Sequence, residues 1–327
     1  MTTARALRAD QDWVSVLSAS ARGAVHSSFD HALNIEVDGR LLTVAAGAGV
    51  ASMPSVLVCD AARLPRLVPG TPVRISGERV QAGPWTVLTS GVPFVDCRVV
   101  PLGDEVGDGA GAVGDCAGAV RDGAGAVPGP AALLAEAERD ATPGSFVLRA
   151  NPSPAERVIH RRLHHGAGAL QRAIAGRLDR VCGDPVGHDA LASATRALVG
   201  LGAGLTPSGD DYLVGALAVL HQVPGGRGRA AAEGIGAGLR PEQLGATTAV
   251  AAQYLRAAAE ARFHHHIAAA ARAALTDAAA VPAAFETVRR IGSTSGADVL
   301  LGIAHTAGTC LPAQPLTTHT GLKEAHS

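Results

Sequence analysis

Two short segments of the sequence combine glycine, hydroxyl and carboxylate residues in a pattern suited to binding a small anion. The first, Gly200–Asp211, reads GLGAGLTPSGDD, and the second, Ser293–Asp298, reads STSGAD. From Ser208 and from Ser295 onward, both follow Ser-Gly-x-Asp-x-Leu-x-Gly. Glycine lets a ligand approach the backbone, and the N-terminus of a helix offers N–H groups and a dipole that favour negative charge.

The glycine that ends each pattern indicates how the two segments are positioned. Gly215 and Gly302 follow Asp211 and Asp298 by four residues, so on a helix each glycine shares a face with its aspartate. We expect the two helices to pack closely through these glycines, which would bring their N-termini together. The alternative is two ordinary capped helices without a ligand, because Ser-x-x-Asp is a common helix start.

Two capping arrangements are open for the first helix. Thr206 fits an N-cap with Pro207 at the first helical position. Ser208 could cap instead, with Asp211 closing a capping box.

The candidate site residues offer hydroxyl groups, backbone N–H groups and carboxylates. The candidate catalytic residues are Ser208, Asp210, Asp211 and Asp298. The candidate substrate-binding residues are Gly202, Gly204, Thr206, Ser208, Gly209, Thr247, Thr248, Ser293, Ser295, Gly296 and His26. The three aspartates could also hold Mg²⁺, which proteins bind through one or two carboxylates beside phosphate. The alternative is that these acids complement the dipole of the first helical turn.

Composition excludes several classes of protein. The net charge is −1 and Lys323 is the only lysine, with no dense basic run, so nucleic-acid binding is not expected. The five cysteines are scattered and form no Cys-x-x-Cys pair, which argues against a disulfide framework. The N-terminus lacks the apolar stretch of a signal peptide, and no apolar run is long enough to span a membrane. We expect a cytoplasmic protein.

Patterning along the chain predicts an α+β protein. Residues 1–102 are expected to form a β-rich domain, sandwich-like or barrel-like, after a short leading helix over residues 1–22. Asp38-Gly39 predicts a hairpin turn within it. Residues 103–130, which contain repeats of DGAGAV, are interpreted as a disordered insertion. Residues 131–312 are expected to form a mainly helical domain carrying the site, and 313–327 a flexible tail.

The motifs resemble those of the family that contains the AllH-type subunit of oxamate carbamoyltransferase, from allantoin (purine) breakdown. The similarity is carried by GLGAGLTPSGDD, by Thr247-Thr248 and by GSTSGAD at Gly292–Asp298, and more weakly by GAVHSSFDHALN at Gly23–Asn34. The resemblance implies a subunit of a multi-component enzyme with partner chains. That enzyme moves a carbamoyl group between carbamoyl phosphate and a small amide acid such as oxamate.

Three functions remain open on the sequence. The first is a carbamoyltransferase subunit that binds small anionic substrates at the paired helix ends, where positioned donors polarise a carbonyl. The second is a non-catalytic scaffold or anion-sensing subunit of a complex. The third is a Mg²⁺-dependent hydrolase that uses Asp210, Asp211 and Asp298.

Overall fold

The computed structural model describes residues 2–103, 126–139, 146–148, 150–179, 186–224 and 226–311. An N-terminal barrel-like β domain is followed by a helical region, which confirms the predicted α+β class. Most of the DGAGAV repeats and the tail from residue 312 lie outside the described residues.

The β domain closes on itself. Its strands are β1 (Thr2–Asp10), β2 (Arg22–Ser28), β3 (Ala32–Val37), β4 (Arg40–Ala46), β5 (Val56–Cys59), β6 (Pro72–Ser76), β7 (Arg79–Ala82), β8 (Trp85–Leu88) and β9 (Phe94–Val95). The order is β5-β4-β3-β2-β6-β7-β8-β1-β9, and β1 also pairs with β5, so eight strands form a ring. The inward-facing residues fill it with an apolar core around Trp13 and Trp85.

The leading helix predicted for residues 1–22 is wrong in its first half. Residues 2–10 form β1, and a short helix, α1, covers only Asp12–Ala19. Ala4 and Ala6 are buried while Thr3 and Arg5 are exposed, which is the period-2 alternation of a strand. The predicted hairpin is confirmed, since Asp38 and Gly39 have φ angles of 49° and 72° between β3 and β4.

The helical region contains ten further helices among the described residues. They are α2 (Pro130–Glu138), α3 (Pro154–Leu178), α4 (Val186–Leu198), α5 (Ser208–Leu220), α6 (Arg227–Gly236), α7 (Pro241–Leu244), α8 (Ala249–Ala259), α9 (His265–Thr276), α10 (Val281–Arg289) and α11 (Ser295–Cys310). Every residue of α5 is buried, so α5 is the centre of the helical core. No helix of the described residues has the length and apolarity needed to cross a membrane.

A buried polar cluster joins the two parts of the molecule. We call Asp10, Asp12, Ser55, Gln253 and Arg262 the boundary cluster. The Arg262 guanidinium from the segment after α8 lies 3.4 Å from Asp10 Oδ1 and 2.8 Å from Asp12 Oδ2. Gln253 Nε2 of α8 donates to Ser55 Oγ at 2.8 Å. These contacts fix α8 against the β domain.

Candidate anion site at two paired helix ends

Helices α5 and α11 cross with their backbones in direct contact. A Cβ added at Gly215 would lie 2.1 Å from the carbonyl oxygen of Val299, and one at Gly302 would lie 2.2 Å from that of Tyr212. Only glycine fits at either position. The two contacts are reciprocal, because Val299 and Tyr212 occupy equivalent places in the two motifs. The prediction that the helices pack through these glycines is therefore confirmed.

The similarity between the two motifs extends to the way each helix begins. The N–H groups of Gly209 and Gly296 donate to the carbonyl oxygens of Leu201 and Ile291, at 2.8 and 2.9 Å. A Cβ added at either glycine would lie 2.1 Å from a carbonyl oxygen near the end of the preceding helix. The units α4–α5 and α10–α11 are thus structural repeats. Because these N–H groups are used within the chain, Gly209 and Gly296 do not offer the backbone donors predicted for them.

The glycine loop folds back onto the start of α5. Gly200, Gly202 and Gly204 have φ angles of 70°, 133° and 99°, a region that other residues rarely adopt. A Cβ at Gly202 would lie 2.5 Å from the backbone nitrogen of Ser208. Ser208 itself is buried. The loop therefore covers the first turn of α5 and leaves residues 203–205 exposed at its rim.

Both capping predictions for α5 are wrong. The N-cap residue is Pro207, and no side chain caps the helix. Thr206 Oγ1 instead lies 2.7 Å from Ser295 Oγ, at the start of α11. A hydroxyl group that would serve a local cap is used here to join the two motifs, across 89 residues of sequence.

Asp210 is held by the chain itself. Its Oδ1 accepts from Gly200 N at 2.9 Å, and its Oδ2 accepts from the Thr247 hydroxyl. Burial raises the pKa of Asp210, and these hydrogen bonds partly oppose the shift. The arrangement ties the glycine loop and the segment before α8 to the first turn of α5.

Thr248 fastens the same loop from outside. Its hydroxyl donates to the Leu205 carbonyl oxygen and accepts from Ala251 N, so Thr248 caps α8. Thr247 and Thr248 thus shape the loop through contacts within the chain. Their predicted contact with substrate stays a prediction.

Asp211 and Asp298 are buried on α5 and α11, and the charge of Asp298 acts on Asp211. Asp211 is 7% exposed and Asp298 is 1% exposed. Burial raises the pKa of Asp211 well above its usual value, and the charge of Asp298 raises it further, against hydrogen bonding from Ser295 and Thr206. Asp211 Oδ2 is buried without a hydrogen-bond partner among the described residues. The carboxyl group of Asp211 is therefore set to remain protonated at higher pH than an ordinary aspartate.

A metal site built from all three aspartates is not assembled. Both carboxylate oxygens of Asp210 accept hydrogen bonds, from Gly200 N and from the Thr247 hydroxyl. Within the described residues, no group of three or more His, Cys, Asp or Glu side chains is placed to hold a metal ion. Binding of Mg²⁺ by the remaining pair stays a prediction.

Two other predicted residues lie at the edge of the site or away from it. Ser293 is exposed in the turn before α11. His26 is exposed on β2, where its Nδ1 lies 3.1 Å from Ser27 Oγ. The structure thus gives His26 a contact within its own strand.

Sequence reasoning missed Tyr254. Burial and the charge of Asp211 raise the pKa of this tyrosine, which places its phenol near the aspartate pair. The Tyr254 hydroxyl also lies 4.0 Å from Met53 Sδ in the β domain. The sequence feature that could have indicated Tyr254 is its position six residues after Thr248, on the helix that Thr248 caps.

Comparison with family models matches both parts of the chain. Residues 198–307 match the family described as oxamate carbamoyltransferase subunit AllH. Residues 5–93 match the AllH family N-terminal domain. No solved structure matches the chain. The two matches include the β barrel, both helix starts and the aspartate pair, and the chain belongs to the AllH family, a subunit family of oxamate carbamoyltransferase.

Proposed function

We propose that this chain is the subunit of a cytoplasmic carbamoyltransferase of allantoin breakdown that binds the small anionic substrates. The ligands we expect are carbamoyl phosphate, phosphate and oxamate, held between the glycine loop and the N-terminus of α11. The observation that supports this most directly is the 2.7 Å contact between Thr206 Oγ1 and Ser295 Oγ. It brings two helix N-termini to one place, where the helix dipoles favour an anion.

The chemistry of carbamoyl transfer suits such a site. The carbamoyl carbonyl must be polarised, and charge must be stabilised on the phosphate oxygen as its bond to carbon breaks or forms. Positioned hydrogen-bond donors supply both effects. Thr206 and Ser295 are half-buried hydroxyl residues at the junction, and either hydroxyl can donate. Direct transfer between two bound substrates needs no covalent intermediate on the protein.

The proposal also includes partner subunits that contribute to the activity. The matched family is described as a subunit of the enzyme, so other chains are expected to contribute to the full activity. The exposed rim of the glycine loop, which includes Leu205 at 55% exposure, is where we expect a partner or a substrate to approach. A purely structural subunit would bind no substrate at this place.

Calorimetric titration of the full chain, alone and with its partner subunits, tests the proposal. The ligands are carbamoyl phosphate, phosphate and oxamate, with and without Mg²⁺. Thr206→Val removes one hydroxyl of the junction and keeps the side-chain shape, so we expect binding at least about tenfold weaker, the loss typical of a hydrogen bond to a charged group. Ser208→Ala serves as a second variant in the buried first turn.

Thr276→Val is the matched control, because the Thr276 hydroxyl donates only to Arg272 O, within α9. It should bind like the wild type. Equal binding by Thr206→Val and the wild type would place the anion elsewhere. The absence of any binding, alone and in the complex, would favour the scaffold function.

A further inference from the structure

A buried hydrogen-bond network joins α3 to both helices of the α5–α11 pair. Gln171 Nε2 of α3 donates to the Tyr212 hydroxyl of α5 at 2.9 Å and to Thr306 Oγ1 of α11 at 3.0 Å. The Tyr212 hydroxyl also lies 3.0 Å from His305 Nδ1 of α11. Tyr212 and Thr306 are fully buried. One side chain of α3 is therefore bonded to α5 and α11 at once.

The network lies next to the backbone contact between α5 and α11. The Tyr212 carbonyl oxygen is the atom that a Cβ at Gly302 would meet, and Tyr212 directly follows Asp211. His305 follows Gly302 by three residues, so on α11 it shares a face with that glycine. Val299 stands at the place of Tyr212 in the second repeat, so only the first repeat supplies this hydroxyl group. The spacing of the two helices thus depends on one phenol–imidazole contact as well as on glycine.

The hydrogen atoms of the network determine which form of His305 fits. Gln171 donates one amide hydrogen to Tyr212 and the other to Thr306. The phenol hydrogen of Tyr212 therefore points at His305 Nδ1, which accepts it only when the imidazole is neutral. A protonated imidazole carries hydrogen on both nitrogens, so the phenol hydrogen would lose its acceptor. Because Tyr212 is fully buried, water does not replace that acceptor, and a buried donor without a partner is costly.

The titratable groups on α3 and α5 favour neutral His305. Burial lowers the pKa of His305, and the charge of His164 on α3 lowers it further. Burial raises the pKa of Tyr212, so the phenol keeps its proton. The Phe146 ring contacts both His164 and Tyr212, with ring centroids 5.4 and 5.2 Å apart. The contact between Tyr212 and His305 therefore holds while His305 is neutral.

The acids of α2 are paired or exposed. Glu136 of α2 lies 3.7 Å from the Arg289 guanidinium of α10, and Glu138 is exposed. On α11 itself, burial raises the pKa of Cys310 to about 12, so this thiol keeps its proton. The groups on α3 and α5 therefore decide the protonation of His305.

We propose that Gln171, Tyr212 and His305 are positioning residues for the anion site, and that protonation of His305 loosens the α5–α11 pair and weakens anion binding. When Tyr212 loses its contact with His305, the two helix ends that carry Thr206 and Ser295 are held less firmly together. The binding half of this inference rests on the proposed function, since it assumes that anions bind where the two helices begin. It adds a response to pH that anion binding alone does not require.

Urea denaturation of the full chain at about pH 8 and about pH 5 tests the contact without a ligand. The lowered pKa of His305 means that the unfolded chain binds this proton more tightly, so the contribution to stability is present above about pH 6.5 and is lost as the pH falls. His305→Asn offers an amide oxygen near the position of Nδ1, an acceptor that does not titrate. Acidification should raise the unfolding equilibrium constant of wild type about tenfold more than that of His305→Asn, the effect of one buried donor left without an acceptor. An equal response of the two proteins would overturn the proposal.

Calorimetric titration with oxamate, of the full chain alone and with its partner subunits, tests the effect on binding. The carboxylate of oxamate stays ionised over this range, so its own charge does not change. Wild type should bind oxamate about tenfold more weakly at the lower pH, and His305→Asn should change by less than about twofold. Tyr212→Phe lacks the phenol oxygen, so it should bind weakly at both pH values.

His266→Asn is the matched control for the titration. Burial also lowers the pKa of His266, but this side chain lies on α9 against the rings of His264 and His265. It should keep the response of wild type to pH. A wild-type response in Tyr212→Phe or in His305→Asn, or its loss in His266→Asn, would overturn the proposal. Failure of every form to bind oxamate, with the expected difference in urea, would instead reject the proposed function and leave the contact between the helices standing.

Discussion

Two pairs of buried aspartates lie in this molecule, and their surroundings differ in one respect. Asp10 and Asp12 of the boundary cluster lie against the guanidinium of Arg262. Asp211 has Asp298 and Asp210 as its charged neighbours, and both raise its pKa. An oxygen without a partner occurs in each pair, at Asp10 Oδ2 and at Asp211 Oδ2. The charged neighbours of Asp211 are thus carboxylates, whereas those of Asp10 and Asp12 include an arginine.

The difference separates a structural role from a chemical one. In the boundary cluster, an arginine compensates the carboxylates and the contacts hold two domains together. At the helix ends, burial and neighbouring acids raise the pKa of Asp211, and hydrogen bonds from Ser295 and Thr206 oppose the shift. A buried carboxyl group whose pKa is strongly raised is a candidate for a site that binds ligands or moves protons.

The largest effect is expected from removing the counter-charge at the domain boundary. Arg262→Met leaves Asp10 and Asp12 buried with reduced compensation, and we expect a loss of about 3–5 kcal/mol in the free energy of unfolding. Urea denaturation measures it. Arg229→Met is the control, since the exposed Arg229–Glu233 pair is worth about 0.5 kcal/mol. Equal losses in the two variants would show that Arg262 does not compensate the boundary pair.

A smaller loss in the free energy of unfolding should follow from moving apart α5 and α11, the helices that carry Asp211 and Asp298. In Gly302→Ala the new methyl group would lie 2.2 Å from the Tyr212 carbonyl oxygen, so α11 must move away from α5. We expect a loss of about 1–3 kcal/mol in urea denaturation, the usual cost of overpacking, together with weaker phosphate binding.

Gly176→Ala is the matched control for that change. A Cβ at Gly176 meets nothing within 4 Å, and alanine there should stabilise α3 by about 0.5–1 kcal/mol. Unchanged stability in Gly302→Ala would mean that the helices do not need their backbone contact.

The features predicted correctly from sequence depend on a repeated motif or on residues that are neighbours in the sequence. The Ser-Gly-x-Asp-x-Leu-x-Gly repeat predicted the close helix pair, because a glycine inside an apolar helix is costly unless another backbone needs the space. The Asp38-Gly39 hairpin is also set by neighbouring residues.

The wrong predictions concern residues whose partners are distant in sequence. Thr206 was predicted as a cap, but its partner Ser295 comes 89 residues later. The environment of Asp211 likewise depends on Asp298 and Tyr254, which no local pattern connects to it.

The finest distinction lies between one member of each pair, Asp211 and Asp12, whose pKa values shift in opposite directions. Burial raises the pKa of Asp211, so the folded state binds its proton more tightly than the unfolded chain, and this contribution to stability is lost as pH rises through the native pKa. Asp211→Asn should therefore gain stability relative to wild type as the pH rises above about 4. At Asp12, burial acts to raise the pKa, but hydrogen bonds from Arg262 and Ser55 and the charges of Arg262 and Arg40 lower it. Its contribution is present at neutral pH and is lost on acidification, so Asp12→Asn should lose stability relative to wild type as pH rises from acid. Thermal melts of the three proteins from acid to neutral pH measure both slopes, and slopes of the same sign would mean that the surroundings of Asp211 and Asp12 are not electrostatically different.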